Sequence, residues 1–260
     1  IYNNLRSLII GKMYTSADLA YYNQGDNLTY NIAASVDTSI ESVLFPVMSS
    51  LQDDRAQVKN MTRRSIKTCT YIIAPVMMSI AFCAEPLVRL ILTEKWLPCV
   101  LFLRVFCLGY ACWPIITANM NAAKAVGRSD LYLKCQLLNE GVCILLLLAT
   151  FRVSVEAIAY GMLITNVVTQ ILDAQLNKKL IGYGYLEQMR DILPTLLLAA
   201  GAGLCMYLVI FLHLPDLLTV IIQVVVGLGI YLTGSAILEL DTFEYFKDVL
   251  APSIRQKLKR

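Results

Sequence analysis

Between residues 26 and 51 an otherwise apolar stretch carries Asn27, Asn31, Ser35, Thr38 and Ser42, with Asp37 and Glu41 one turn apart. At 100° per residue on a helix, the five neutral groups fall within about 80° of arc, and the carboxylates widen that face to about 160°. Leu28, Ile32, Val36, Ile40, Val43 and Val47 take the other side. Amides and hydroxyls exchange hydrogen bonds with a hydroxylated ligand, while carboxylates answer cations. Two arginines within apolar stretches add a different chemistry. Arg6 stands beside Asn3, Asn4 and Ser7, and Arg104 lies about 10 Å into its segment at 1.5 Å per residue. The guanidinium fork of Arg6 suits the oxygens of a diphosphate. Arg104 either lines the same site or snorkels to the surface. The candidate substrate-binding residues are therefore Arg6, Asn27, Asn31, Asp37, Glu41 and Arg104, lining a hydrated cavity. A packed polar seam is the plainer alternative, with Gln136, Asn139, Glu140, Asn166, Thr169, Gln170 and Asp173 as partners. Arg89 falls outside the set, because Glu85 lies four residues before it and offers an ion pair.

Other chemistries lack their parts. The eight cysteines (69, 83, 99, 107, 112, 135, 143 and 205) form no C-x-x-C pair, and His213 is the single histidine. They read as small packing residues rather than metal ligands, so no metal and no cofactor is expected. Phosphate-binding glycine loops, zinc-protease helices and serine nucleophile elbows are absent from the sequence. Connections between apolar blocks are too short to fold a catalytic domain, so the chain reads as something other than an enzyme. Nucleic acid is not an expected partner.

The elements that must position the polar face are membrane helices. Of 260 residues 57% are hydrophobic and 16% charged, with a mean hydropathy of +0.61. The apolar residues gather in blocks long enough to cross about 30 Å of hydrocarbon. The fold class expected is an all-α polytopic membrane protein with eight spans: 1–13 (truncated), 26–51, 66–93, 97–122, 129–151, 154–176, 192–213 and 215–239. Gly25-Asp26, Pro98, Gly127, Pro194 and Pro215 mark the ends of spans, while Pro46, Pro75 and Pro114 fall inside them. The first residue is Ile1 inside an apolar block, which reads as the C-terminal portion of something larger. Sixteen Lys and Arg fall in one set of alternate connections and three in the other, with Arg6, Arg89 and Arg104 inside spans. The positive-inside rule puts the loop around Arg55 to Lys67, of about fifteen residues, and the basic tail after Leu240 in the cytoplasm.

Several motifs are similar to those of one family. LIIGKMYTSADLAYYNQGDNL (Leu8 to Leu28), SIESVLFPVMSSLQDD (Ser39 to Asp54), RRSIK, AEPLVRLILTEKWLPCV (Ala84 to Val100) and GRSDLYLK (Gly127 to Lys134) resemble bacterial polysaccharide flippases. These are the Wzx-type exporters of the multidrug/oligosaccharidyl-lipid/polysaccharide superfamily, with colanic-acid and teichuronic-acid exporters the nearest relatives. The motifs cover about half of the chain and thin out after about Asp191. Gln24-Gly25 departs from the Arg-Ala expected in close relatives. The resemblance implies a second six-helix bundle over 1–190, two additional helices over 191–240 and a basic cytoplasmic tail over 241–260, with six spans upstream. It implies export of an undecaprenyl-diphosphate-linked oligosaccharide across the bacterial cytoplasmic membrane by alternating access, for O-antigen, capsule or exopolysaccharide. Arg6 would take the diphosphate and the amides the sugars. Membrane lipids and the polysaccharide polymerase and export machinery would be partners. The alternatives are a multidrug or organic-cation antiporter of the same superfamily, which would use Asp37 and Glu41, a membrane-embedded enzyme of envelope synthesis, or a purely structural subunit.

Overall fold

The computed structural model describes residues 2–51, 54–212, 214–244 and 247. His213 and the tail cations Arg255, Lys257, Lys259 and Arg260 lie outside the described residues, as do the side chains of Asn3, Asn4, Ile40 and Val43. Among the described residues the chain is helical: α1 (Tyr2–Met13), α2 (Ser16–Ser50), α3 (Arg55–Phe82), α4 (Ala84–Leu92), α5 (Cys99–Tyr110), α6 (Trp113–Ala125), α7 (Ser129–Thr150), α8 (Val155–Ile181), α9 (Tyr185–Leu208) and α10 (Asp216–Ile237). Six segments are long and apolar enough to cross a membrane: α3, α5 with α6, α7, α8, α9 with the turn that follows it, and α10. The protein is thus an all-α, multi-pass membrane protein. Two of the eight expected spans fall outside that count. Helix α1 has 12 residues. Helix α2 has 35, about 52 Å at 1.5 Å per residue, but its polar face lowers its hydropathy.

Local chemistry sets several boundaries apart from the expected ones. Helix α2 begins ten residues before Asp26. Its start is a capping box, in which the Asp18 amide donates to Thr15 Oγ1 and the Thr15 amide to Asp18 Oδ2, both at 3.2 Å. Gly25 therefore lies inside α2, and its lack of a side chain serves packing. A Cβ there would lie 2.8 Å from Phe102 Cβ and 2.9 Å from the Leu103 amide nitrogen, so α2 and α5 approach backbone to backbone. The stretch after Asp54 is not a loop. Asp54 Oδ1 accepts from the amides of Ala56 and Gln57 at 3.0 and 3.1 Å, and the cations from Arg55 onward ride on the opening turns of α3. These bonds hold the Asp54 carboxyl below its usual range, the Gln57 amide first among them. The expected single span 97–122 is two helices broken at Ala111 and Cys112, with Pro114 in the first turn of α6, where a missing N–H costs nothing. Pro194 falls inside α9 rather than at an end. The turn at Gly182 to Gly184 separates α8 from α9, so the helix expected over 192–213 begins at Tyr185.

Around the core, α2 packs along α5 and α6, α8 lies against α5, α6 and α7, and α3 is covered on its outer side by α9. Helix α10 closes on α9 through glycines. A Cβ at Gly227 would strike Met206 and one at Gly234 would strike Leu198. Pro75 inside α3 leaves the carbonyl of Tyr71 without its helical donor, and the Tyr231 hydroxyl of α10 donates to that oxygen at 2.8 Å. At one end, charges bind α3 to α9 and to the residues that follow α10. Lys59 Nζ donates to Glu187 at 3.1 Å, Arg63 to Asp191 at 2.6 Å and Lys67 to Asp241 at 2.6 Å. The steps of four on both α3 (59, 63, 67) and α9 (187, 191) place each series on one helix face. At the other end Arg89 pairs with Glu85 at 2.9 Å, as expected, and approaches Asp216 at the start of α10 at 3.9 Å.

Candidate functional site

Helix α2 has two faces of different fate. Tyr22, Gly25, Thr29, Ala33, Asp37, Leu44 and Met48 are buried against the bundle. Asn27, Asn31, Ser35, Thr38 and Ser42 are all exposed, so the polar arc read from the sequence is an open surface. The hydroxyls on that surface are turned inward. Ser35 donates to the carbonyl of Asn31 at 2.7 Å, Thr38 to that of Ala34 at 2.8 Å and Ser42 to that of Ser39 at 2.9 Å. Each spends its donor on its own helix and leaves oxygen lone pairs outward, ready to accept. The amides of Asn27 and Asn31 make no side-chain hydrogen bond among the described residues and keep both donors and acceptors.

The six candidate residues do not share one wall. Asn27 and Asn31 stand on the open face. Asp37, at the edge of the arc, is 7% exposed and turned toward α6, where Thr117 lies within hydrogen-bonding reach of its carboxylate. Glu41 is half-exposed and meets Lys124 of α6 at 3.5 Å. Arg6 is 2% exposed, set behind α2 with its guanidinium carbon 5.9 Å from the Tyr22 ring centroid. Tyr22 in turn packs edge-on to Phe102 and Phe106. Arg104 is on the far side of α5, in the stripe Leu101, Arg104, Leu108, and its Nε donates to the carbonyl of Ala81 at 3.2 Å. That carbonyl is among the last four of α3, so the guanidinium caps a helix end.

The alternative polar seam exists, but between other helices. Cys135 and Asn139 of α7 donate to Asp173 of α8 at 3.2 and 3.1 Å. Asn119 of α6 exchanges hydrogen bonds with Gln188 of α9 at 2.9 Å and accepts from Asn177 of α8 at 2.8 Å. The seam groups bond one another rather than α2, with Asn139 Oδ1, Asp173 Oδ2 and Asn177 Oδ1 left buried without a partner among the described residues. Four residues of the site escaped the sequence reading. Tyr30 of α2, 39% exposed, lies 5.5 Å from Trp113, which lies 5.1 Å from Tyr110, so an aromatic stack borders the open face. Tyr110 also donates to Asp26 at 2.6 Å, which orients the stack. Lys124 appeared only as a topology charge. Tyr30 three residues after Asn27 was a legible signal, whereas the approach of Trp113 depends on how α2 and α6 meet. Among the described residues no three of His, Cys, Asp or Glu gather as metal ligands.

An edge of amides and acceptor oxygens beside stacked aromatic rings offers hydrogen bonds to hydroxyls and flat faces to aliphatic C–H groups. Residues 1–101 match the family model described as polysaccharide biosynthesis protein. Over 115 residues the chain is 30% identical to an uncharacterized membrane protein in the cps region of Klebsiella pneumoniae, covering 43% of this chain and 24% of that protein. Its fold matches that of the lipid II flippase MurJ in an inward closed conformation, with a TM-score of 0.68 at 16% identity over 90% of this chain. The chain spans about a quarter of the curated relative and about half of the flippase, 24% and 48% respectively. The resemblance drawn from the motifs is thereby supported: the first 101 residues match a polysaccharide-biosynthesis family model, and the fold is shared with a solved lipid II flippase.

Proposed function

We propose that the protein moves a lipid-linked oligosaccharide, an undecaprenyl diphosphate carrier bearing sugars, across the bacterial cytoplasmic membrane by alternating access. It acts as a transporter rather than an enzyme, in the synthesis of a surface polysaccharide such as O-antigen, capsule or exopolysaccharide. The basic end faces the cytoplasm. The observation that carries this reading is the open face of α2, where Asn27 and Asn31 stand beside the Tyr30–Trp113 stack. Sugar hydroxyls meet the amides and the Ser and Thr oxygens, and pyranose rings lie on the aromatic faces. Lys124 offers a cation at the edge of this face for the diphosphate once Glu41 yields it, with Arg6 one layer behind. The polymerase and export machinery would receive the flipped product.

Complementation tests the reading. The intact gene is placed in a strain lacking its own polysaccharide flippase, with expression of each variant checked. Wild type should restore surface polymer. The pair Asn27→Ala/Asn31→Ala and the variant Trp113→Ala should each lower it about tenfold or more, as expected for loss of one or two buried hydrogen bonds to ligand in the first and of an aromatic contact face in the second. Polymer at wild-type level in both would remove the support of this face. One observation favours a second reading, an organic-cation antiporter: Asp37 Oδ1 is buried without a hydrogen-bond partner. Drug resistance that depends on Asp37 in a strain whose polymer is not restored would establish that reading instead.

A further inference from the structure

Arg104, removed from the α2 face by the packing of α5, lies in a groove of about 430 Å³ between α3, α5 and α9. The walls are otherwise apolar: Met78 and Phe82 of α3, Leu108 of α5, and Ala200, Leu204 and Tyr207 of α9. The volume is that of cavities that enclose small ligands, about 300–1,000 Å³. Leu108 and Leu204 are largely exposed, so the groove opens sideways, where lipid surrounds the helices. Phe102, Leu103 and Phe106 are buried on the opposite side of α5 and separate the groove from the α2 face. An occupant therefore enters from the membrane and not from the proposed sugar site.

Charge and depth narrow its nature. Among the described residues no carboxylate pairs with Arg104, and only its Nε is engaged, by the Ala81 carbonyl. The terminal nitrogens are not sealed off from the groove, and they carry four further N–H donors. Arg104 is five residues from the start of α5, about 8 Å along the axis, beside the last turns of α3 and α9. That is the level at which a long side chain reaches the headgroup region while its stem stays in hydrocarbon. A guanidinium with a free fork, at headgroup depth and walled by apolar side chains, complements an anionic phosphodiester that carries an acyl chain.

We propose that this groove holds one anionic phospholipid of the surrounding bilayer, its phosphodiester on the terminal nitrogens of Arg104 and an acyl chain along Met78, Leu108 and Leu204. The site is separate from the transport face, and its occupant links the end of α3 to α9 and α5.

The test uses the intact protein in nanodiscs with a phosphatidylglycerol bearing a diazirine in its acyl chain, against a phosphatidylcholine with the same chain. Labelled peptides are mapped by mass spectrometry. Peptides from the ends of α3 and α9 and the start of α5 should carry roughly tenfold more phosphatidylglycerol label, the ratio given by one charge-assisted hydrogen bond. Arg104→Gln should bring that ratio to about one. Ala200→Trp, which leaves Arg104 and its contact with Ala81 in place, should lower labelling by both lipids and keeps the test decisive if Arg104→Gln fails to fold. Equal labelling by the two lipids in wild type overturns the proposal, as does a preference that survives Arg104→Gln or labelling untouched by Ala200→Trp. Displacement of the label by equimolar polyisoprenyl phosphate would assign the groove to the carrier lipid and equally overturn it.

Discussion

The hydroxyl of Tyr231 should matter to stability because of a proline on a different helix. Pro75 has no N–H, so the Tyr71 carbonyl one turn earlier in α3 loses its helical donor. Tyr231 of α10 supplies one at 2.8 Å, and both tyrosines are buried, at 3% and 7% exposure. Their rings pack at 5.2 Å between centroids, so Tyr231→Phe removes the hydroxyl and keeps the contact. A buried carbonyl left without a donor costs about 1–3 kcal/mol. For a chain of this size that lowers the midpoint of thermal unfolding by about 2–4 °C per kcal/mol. Pro75→Ala restores an N–H at the right place in α3, and the Tyr71 oxygen then no longer depends on α10. In that background Tyr231→Phe should cost about 0–1 kcal/mol, giving a coupling of about 1–2 kcal/mol in a double-mutant cycle. Unfolding of the four proteins in one detergent, followed by intrinsic fluorescence and by calorimetry, measures the cycle. Equal costs of Tyr231→Phe with and without Pro75 would refute the reasoning, because the hydroxyl would then be serving some other partner.

Two further outcomes follow from the packing and the charges. Gly25→Ala places a Cβ 2.8 Å from Phe102 Cβ and 2.9 Å from a backbone nitrogen. Neither atom can move without shifting α5, so the variant should lose about 1–3 kcal/mol, whereas Gly201→Ala, which meets nothing within 4 Å, should lose none. The same unfolding assay compares them. The Asp241 carboxyl is held below its usual value chiefly by the hydrogen bond from Lys67, then by the charge of that ammonium. Its folded pKa lies below the unfolded one, so the pair stabilises above about pH 4 and that contribution fades as pH falls through the folded pKa. Asp241 is 79% exposed, so the contribution is at most about 1 kcal/mol. Lys67→Met should therefore lower the unfolding midpoint at pH 6 and leave it unchanged near pH 2; an equal deficit at both would show that packing, not charge, is lost.

How much of this was legible in the sequence depends on whether a property belongs to one helix or to a pair. The class of fold and the polar arc of α2 follow from block length and from a period of 3.6 residues, and both are visible in one chain segment. Gly25 shows the limit. A glycine that ends a helix and one that lets two helices touch look alike in sequence, and only Phe102 and Leu103 on another helix distinguish them. Pro114 was legible as a proline in an apolar block, yet its place in the first turn of a new helix depends on the break at Ala111 and Cys112. The arginines divide in the same way. Their depth could be counted, but the direction they face is set by how α1 and α5 rotate against their neighbours. Arg6 accordingly lies behind Tyr22 and Arg104 faces α9. The basic stretch after Asp54 has the composition of a loop because charge predominates there, although a carboxylate directly before it is a helix cap.

Helix α2 joins these observations to the proposed transport face. Too polar to count as a membrane span by hydropathy, it is a continuous helix of 35 residues in which most polar groups are met in one of two ways. Thr29, Ser35, Thr38, Ser39 and Ser42 return their donors to carbonyls of the same helix. Asp26 accepts from Tyr110, and Glu41 from Lys124. The amides of Asn27 and Asn31 have neither provision, and each amide left dry in hydrocarbon costs several kcal/mol, on the order of 2–7. Lipid therefore cannot cover this face, whereas the face of α9 with Leu197, Leu204 and Leu208 exposed suits lipid well. The bundle thus has a dry side and a wet side, with Arg104 on the first and the Asn27–Asn31 amides on the second. On the transport proposed above, the cargo passes along the wet side, in contact with α2.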